Sequence, residues 1–173
     1  LKGSDVKVAT VVGFPLGANT SSNKLEECIE SIENGASEIN FVINIGQLKS
    51  ANFTYVEDEI NSLAKACHDR AAILKVIIET ALLTEEEIVK VSKICCEQNA
   101  DFIKTSTGFS TRGASISDIK LIKKTIVSSG KSLKIKASGG IRDVDFALAL
   151  IDAGADRLGV SSGVKIIEEF KSM

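Results

Sequence analysis

Short β-branched runs alternate with amphipathic stretches along the whole chain. Val6-Lys7-Val8-Ala9-Thr10-Val11-Val12 reads as a strand that stops at Gly13-Phe14-Pro15-Leu16-Gly17. Leu25, Cys28, Ile29 and Ile32 then recur at helical spacing, and Asn34-Gly35 ends that helix. A second strand covers Glu38 to Ile43, followed by a helix with Val56, Ile60, Leu63, Ala64 and Cys67 on one face. The third strand, Ile73 to Ile78, leads to Thr84-Glu85-Glu86-Glu87. That is a capping box opening a helix with Ile88, Val91 and Cys95 turned inward. Phe102 to Thr105 is the fourth strand, and Ile119, Ile122 and Ile126 mark its helix. The fifth runs from Leu133 to Ala137 and precedes a helix carrying Phe146, Ala147, Leu150 and Ile151. A sixth, Arg157 to Val160, precedes a last helix from about Val164.

Three helix-to-strand joints repeat one pattern: Gly35-Ala36-Ser37-Glu38-Ile39, Asn99-Ala100-Asp101-Phe102-Ile103 and Gly154-Ala155-Asp156-Arg157-Leu158. Gly or Asn ends the helix, alanine packs closely, and the strand resumes. Strands alternating with helices through short loops predict a parallel sheet covered by helices. The choice lies between an open doubly wound sheet and a closed (β/α)8 barrel. Six units in 173 residues is about 29 residues each, and eight would need roughly 230, near the usual barrel size. The expectation is six of the eight units, with the Leu1 start placing the other two at the N-terminal side.

Composition narrows the function. Lysine and arginine total 21 against 23 acidic residues, a net charge of −2 with no basic cluster, which argues against nucleic acid as partner. No apolar run approaches the roughly 18 residues of a membrane span. Cys28, Cys67, Cys95 and Cys96 show no CxxC spacing and all fall in helical stretches, where free cysteine behaves as a small hydrophobe. With His68 the single histidine, a metal site is not expected. A reducing, cytoplasmic setting is the default.

Chemistry in α/β proteins collects at the C-terminal ends of the strands. Those ends carry Asn40 and Asn44, Glu79-Thr80, Lys104-Thr105-Ser106-Thr107-Gly108, Lys136-Ala137-Ser138-Gly139-Gly140 and Gly159-Val160-Ser161-Ser162-Gly163. Lys104 and Lys136 interrupt otherwise apolar strands just before Gly/Ser/Thr-rich loops. A neighbouring cation and partial burial both disfavour an ammonium, so one of two close lysines moves toward neutrality. A neutral amine attacks a carbonyl carbon to give a Schiff base, whose protonated form draws electrons from a bond two atoms away. No cofactor is needed. The last two loops offer backbone N–H groups, the hydroxyls of Ser161 and Ser162 and a helix N-terminus, the usual place for a phosphate in a barrel, with Arg142 at hand. GxGxxG and GxxxxGK[ST] are absent, which disfavours nucleotide cofactors.

Together these stretches resemble the deoxyribose-phosphate aldolases over essentially the whole length. The resemblance rests on Ala9 to Gly17, Val42-Ile43-Asn44-Ile45-Gly46, Leu74 to Thr80, Phe102 to Gly108 and Lys136 to Arg142. It implies a (β/α)8 TIM barrel, with residues 1–173 as a single barrel domain, and reversible cleavage of 2-deoxy-D-ribose 5-phosphate to acetaldehyde and glyceraldehyde 3-phosphate. By that similarity Lys104 is the Schiff-base lysine and Lys136 the second lysine. Gly108, Gly139, Gly140, Arg142, Gly159, Ser161 and Ser162 match the phosphate-binding turns. The implied partners are a phosphosugar and, in a homodimer or higher oligomer, further copies of the chain.

One position breaks the pattern. The family carries an aspartate two residues after the glutamate of the second strand here, and this chain has Asn40. By the resemblance that aspartate joins Lys136 and a water in moving protons, and an amide takes up no proton at neutral pH. Three readings therefore stand at this point: a class I aldolase, a non-catalytic relative that binds a phosphosugar or a protein partner, and a phosphosugar isomerase with Glu79 as its only strand-end carboxylate.

Overall fold

Every strand-to-helix alternation read from the pattern is present in the computed structural model, which describes residues 3–173. The strands are β1 (Ala9–Val12), β2 (Glu38–Val42), β3 (Ile73–Ile77), β4 (Phe102–Lys104), β5 (Lys134–Ser138) and β6 (Arg157–Gly159). All pair in parallel in the order β1-β2-β3-β4-β5-β6. The helices are α1 (Ser21–Glu33), α2 (Ile45–Lys49), α3 (Phe53–His68), α4 (Glu85–Glu97), α5 (Ile116–Ser129), α6 (Val144–Asp152) and α7 (Gly163–Lys171).

The sheet is curled as a partial (β/α)8 barrel. The guanidinium of Arg157 on β6 donates to both carboxylate oxygens of Glu38 on β2, at 3.0 and 2.8 Å. In a flat sheet those strands would lie about 19 Å apart, beyond the reach of two side chains. Curvature brings them together across the interior, in the manner of a barrel wall.

Alternation along the strands then sorts the residues into two faces. Ile39, Phe41, Ile43, Leu74, Val76, Ile78, Ile103, Ile135 and Ala137 point outward and form the main core with the helices. Val56, Ile60, Leu63, Ala64 and Cys67 of α3 meet them, as do Ile88, Val91 and Cys95 of α4 and Ile119, Ile122 and Ile126 of α5. Each such aliphatic side chain contributes about 1.5–3 kcal/mol relative to exposure. All four cysteines are free and buried.

Local signals fix the ends. Thr84 and Glu87 form the reciprocal capping box that starts α4. Gly35, Asn99 and Gly154 at the three repeated joints all adopt positive φ, as a helix stop followed directly by a strand demands.

Four details differ from the pattern reading. β1 begins at Ala9 and not at Val6, because Val6 and Val8 are exposed beside an edge strand. Asn44 is the N-cap of α2, its side chain accepting from the Gln47 backbone at 3.1 Å; a helix of five residues is too short to show a period. In α1 the fully buried positions are Lys24 and Cys28, with Leu25, Ile29 and Ile32 half-buried. Lys24 donates to Glu59 of α3 at 2.7 Å and to the Val42 carbonyl at 2.8 Å, tying two helices to the end of β2. Ile151 is 48% exposed, on the outer side of α6.

Candidate active site

Backbone register sets the inner face of the sheet in layers. One layer contains Asn40, Lys75, Phe102 and Lys134; the next, nearer the strand C-termini, contains Val42, Ile77, Lys104, Lys136 and Arg157. Lys104 and Lys136 are thus direct cross-strand neighbours. Lys104 is 8% exposed. Burial is the main cause lowering its amine, followed by the Lys136 and Lys75 charges, with Glu79 opposing, and together they bring it to about 8. Lys136 is also lowered, by burial first and then by Lys75 and Arg157.

Asn40 lies where the sequence reading needs it, beside Lys136. Its Oδ1 accepts from Lys136 Nζ at 3.3 Å, and its Nδ2 donates to the Thr10 carbonyl at 2.9 Å. Asn40 is 3% exposed, and both contacts are part-buried.

Lys104 borders a cavity of about 500 Å³ at the C-terminal end of the strands. Gly108, Gly139, Gly140, Arg142, Gly159 and Ser161 line it as well. Ser162 is not in the wall; it is the N-cap residue of α7 and makes no side-chain capping bond. At Gly140, with φ of +76°, a Cβ would meet nothing within 4 Å, so the backbone here faces open space. Gly159 serves a different purpose: a Cβ there would lie 3.1 Å from Lys136 Cε and 3.0 Å from Ser138 Cβ. Its bare backbone leaves the channel through which Lys136 extends.

A second cavity of about 440 Å³ opens at the opposite end of the strands, around His68, Asp101 and Lys131. None of the catalytic or phosphate-binding candidates named from the sequence lines it.

Sequence reasoning named Thr107 and Glu79 at strand ends without their contact, and missed the role of Lys75. Thr107 lines the cavity, and its backbone N–H and hydroxyl both donate to Glu79 Oε2. Glu79 sits at φ +52°, and its Oε1 is buried without a partner. The third strand lysine, Lys75, is fully buried and paired with Glu38. A period of two through Glu38-Asn40, Lys75 and Lys134-Lys136 would have shown that this face is polar. Among the described residues no group of three or more His, Cys, Asp or Glu converges to hold a metal ion, and no helix is long and apolar enough to cross a membrane.

Comparison with known proteins places the chain in a family. Residues 2–169 match the DeoC/LacD family aldolase profile. The deoxyribose-phosphate aldolase of Caldanaerobacter subterraneus subsp. tengcongensis is 51% identical over 172 residues, covering 99% of this chain and 73% of the relative. Among solved structures, the aldolase QR15 superposes with a TM-score of 0.91 at 45% identity, covering 99% of this chain and 75% of the other. The tetrameric deoxyribose phosphate aldolase of Aeropyrum pernix gives 0.87 at 34% identity, covering 96% and 69%. The match over residues 2–169 and these relatives show that the chain belongs to the DeoC/LacD family of aldolases.

Proposed function

We propose that this chain is a class I aldolase that reversibly cleaves 2-deoxy-D-ribose 5-phosphate to acetaldehyde and D-glyceraldehyde 3-phosphate through a Schiff base on Lys104. The observation that carries this reading is the buried Lys104 amine, lowered to about 8 and adjacent to Lys136 at the edge of a glycine-walled cavity. At pH 7 about a tenth of such an amine is neutral, against well under a thousandth for an exposed lysine.

The neutral Nζ attacks the C1 aldehyde carbon of the open-chain sugar, and water leaves to give a protonated imine. The C2–C3 bonding electrons then pass into that iminium as the C3 hydroxyl gives up its proton, releasing glyceraldehyde 3-phosphate. The resulting enamine takes a proton at C2, and water releases acetaldehyde and the free amine. Lys136 keeps Lys104 partly neutral and stands ready to pass protons. Asn40 orients a water but relays no proton, which slows the steps that need one.

The phosphate is held at the far side of the cavity by backbone N–H groups at Gly108, Gly139 and Gly140, and by Ser161. Arg142 and the N-terminal end of α7 add positive charge. The apolar side chains exposed on α6 and α7, Ile151, Val164, Ile167 and Phe170, support assembly into a homo-oligomer. Residues 1–173 act as one barrel domain, and four free cysteines suit a reducing cytoplasm.

Borohydride added with acetaldehyde tests this reading. A stable mass increment on the peptide carrying Lys104 is expected; an increment confined to Lys136, or none, contradicts it.

A further inference from the structure

Beside and below the lysine pair lies a partly buried charge cluster for which the reaction above has no use. Lys75 of β3 is fully buried and donates to the Glu38 carboxylate of β2. Arg157 of β6 donates to both oxygens of the same carboxylate. The Phe102 ring lies among the cations, with Lys75 Nζ and Lys134 Nζ each 5.7 Å and Arg157 Cζ 4.9 Å from its centroid. Lys75 is two residues before Ile77, the cross-strand neighbour of Lys104, so it stands one layer, about 6–7 Å, beneath the reacting amine.

As a structural strut the cluster is overbuilt. Nη1 of Arg157 alone reaches both Glu38 oxygens, at 3.0 and 2.8 Å, and already balances the carboxylate charge. Burying a further ammonium beside it costs desolvation that no unpaired partner repays. Lys75 and Glu38 are buried and Arg157 is half-exposed, and the three together carry one net positive charge.

We propose that Lys75, Glu38 and Arg157 act as positioning residues whose net positive charge beneath the lysine pair favours the neutral amine of Lys104, with Glu38 moderating its strength. This rests on Lys104 being the attacking amine. The charged groups that face the pair come from every neighbouring element: Lys75 and Glu79 from β3 and its end, Glu38 from β2, Lys134 from β5, Arg157 from β6, and Arg142 at the rim. After burial, the Lys75 charge lowers both Lys104 and Lys136, Arg157 lowers Lys136, and Glu38 opposes at Lys136. Lys75 is itself lowered, by burial first, with Glu38 opposing, Arg157 adding to the lowering and Asp101 opposing.

Competitive acetylation of the full chain across pH, read peptide by peptide by mass spectrometry, measures the Lys104 and Lys136 midpoints without substrate. Lys75→Met is expected to move the Lys104 midpoint up by about one unit, a roughly tenfold smaller neutral fraction at pH 7, and Arg157→Gln to move the Lys136 midpoint up. Glu38→Gln should move the Lys136 midpoint down, and Lys75→Arg should restore the original Lys104 value. Opposite signs from neighbouring substitutions are something that loosened packing does not produce. Arg157 is 41% exposed at its side chain, so Arg157→Gln decides the matter if Lys75→Met fails to fold. Unmoved midpoints in folded variants, or a shift of one sign in all three, overturn the proposal. Borohydride trapping on the same samples separates the two readings. An adduct on Lys104 with unmoved midpoints removes the role of the cluster alone, whereas no adduct in the parent chain removes the Schiff-base reading and this proposal with it.

Discussion

The two faces of the same six strands do different work. The outward face is Ile39, Phe41, Ile43, Leu74, Val76, Ile78, Ile103 and Ile135, packed dry against helices. The inward face, one residue out of step, is Glu38, Asn40, Lys75, Lys104, Lys136 and Arg157. Stability rests on the first and chemistry on the second. Because strand side chains alternate, the two sets share one backbone yet are separated by its thickness. A substitution on either face should therefore leave its own signature.

The largest effect belongs to the reacting amine. Lys104→Ala should lose trapping altogether and lower kcat/KM on the order of 10⁵-fold, as removal of a covalent nucleophile does, while the melting temperature holds. Steady-state kinetics beside a thermal melt would check this, and a chain that keeps its activity would break the assignment.

Asn40 sharpens the inner face from the opposite direction. An aspartate there would present one oxygen to Lys136 and the other to the Thr10 carbonyl, where Nδ2 now donates at 2.9 Å. Two facing acceptors need a proton between them, so the carboxyl would be drawn into carrying one. Asn40→Asp is expected to raise kcat by about 10²–10⁴-fold with little change in KM. No gain would mean that water or Lys136 already moves the proton.

The outer face answers differently. Leu74→Ala, at a fully buried position, should cost about 2–5 kcal/mol in denaturant unfolding and leave the pH dependence of trapping where it was. A moved pH profile in that variant would show that the faces are coupled.

The smallest effect lies at the cavity wall. Gly140→Val places a branched side chain at φ +76°, into space now open to ligand. KM for the phosphorylated sugar should rise about tenfold to a hundredfold, as expected when one or two bonds to a charged group are lost. Unphosphorylated deoxyribose should change much less, and equal loss for both would indicate misfolding.

Much of this was readable beforehand, for local reasons. The Thr84 capping box, the joints at Gly35, Asn99 and Gly154, and the helix stripes depend on residues within one or two turns. Lys104 and Lys136 stood out because a charge inside an apolar strand is conspicuous. The cluster beneath them did not, because the Glu38–Arg157 contact spans 119 positions and exists only once the sheet has curled. Lys24 was hidden among the polar positions of α1, its partner Glu59 lying on another helix. Glu79 was visible as a strand-end carboxylate, but its hold on Thr107 follows from a left-handed turn that no local residue announces.

The central claim is that the inner face keeps Lys104 partly neutral for attack on a carbonyl. Its most direct test is the rate of borohydride trapping of acetaldehyde at Lys104 as a function of pH. Burial and the Lys136 charge lower the amine to about 8, so the neutral share rises through that value. The rate should climb about tenfold per unit below pH 8 and level off above it. A rate still climbing through pH 10, as for an ordinary exposed lysine, would contradict the account.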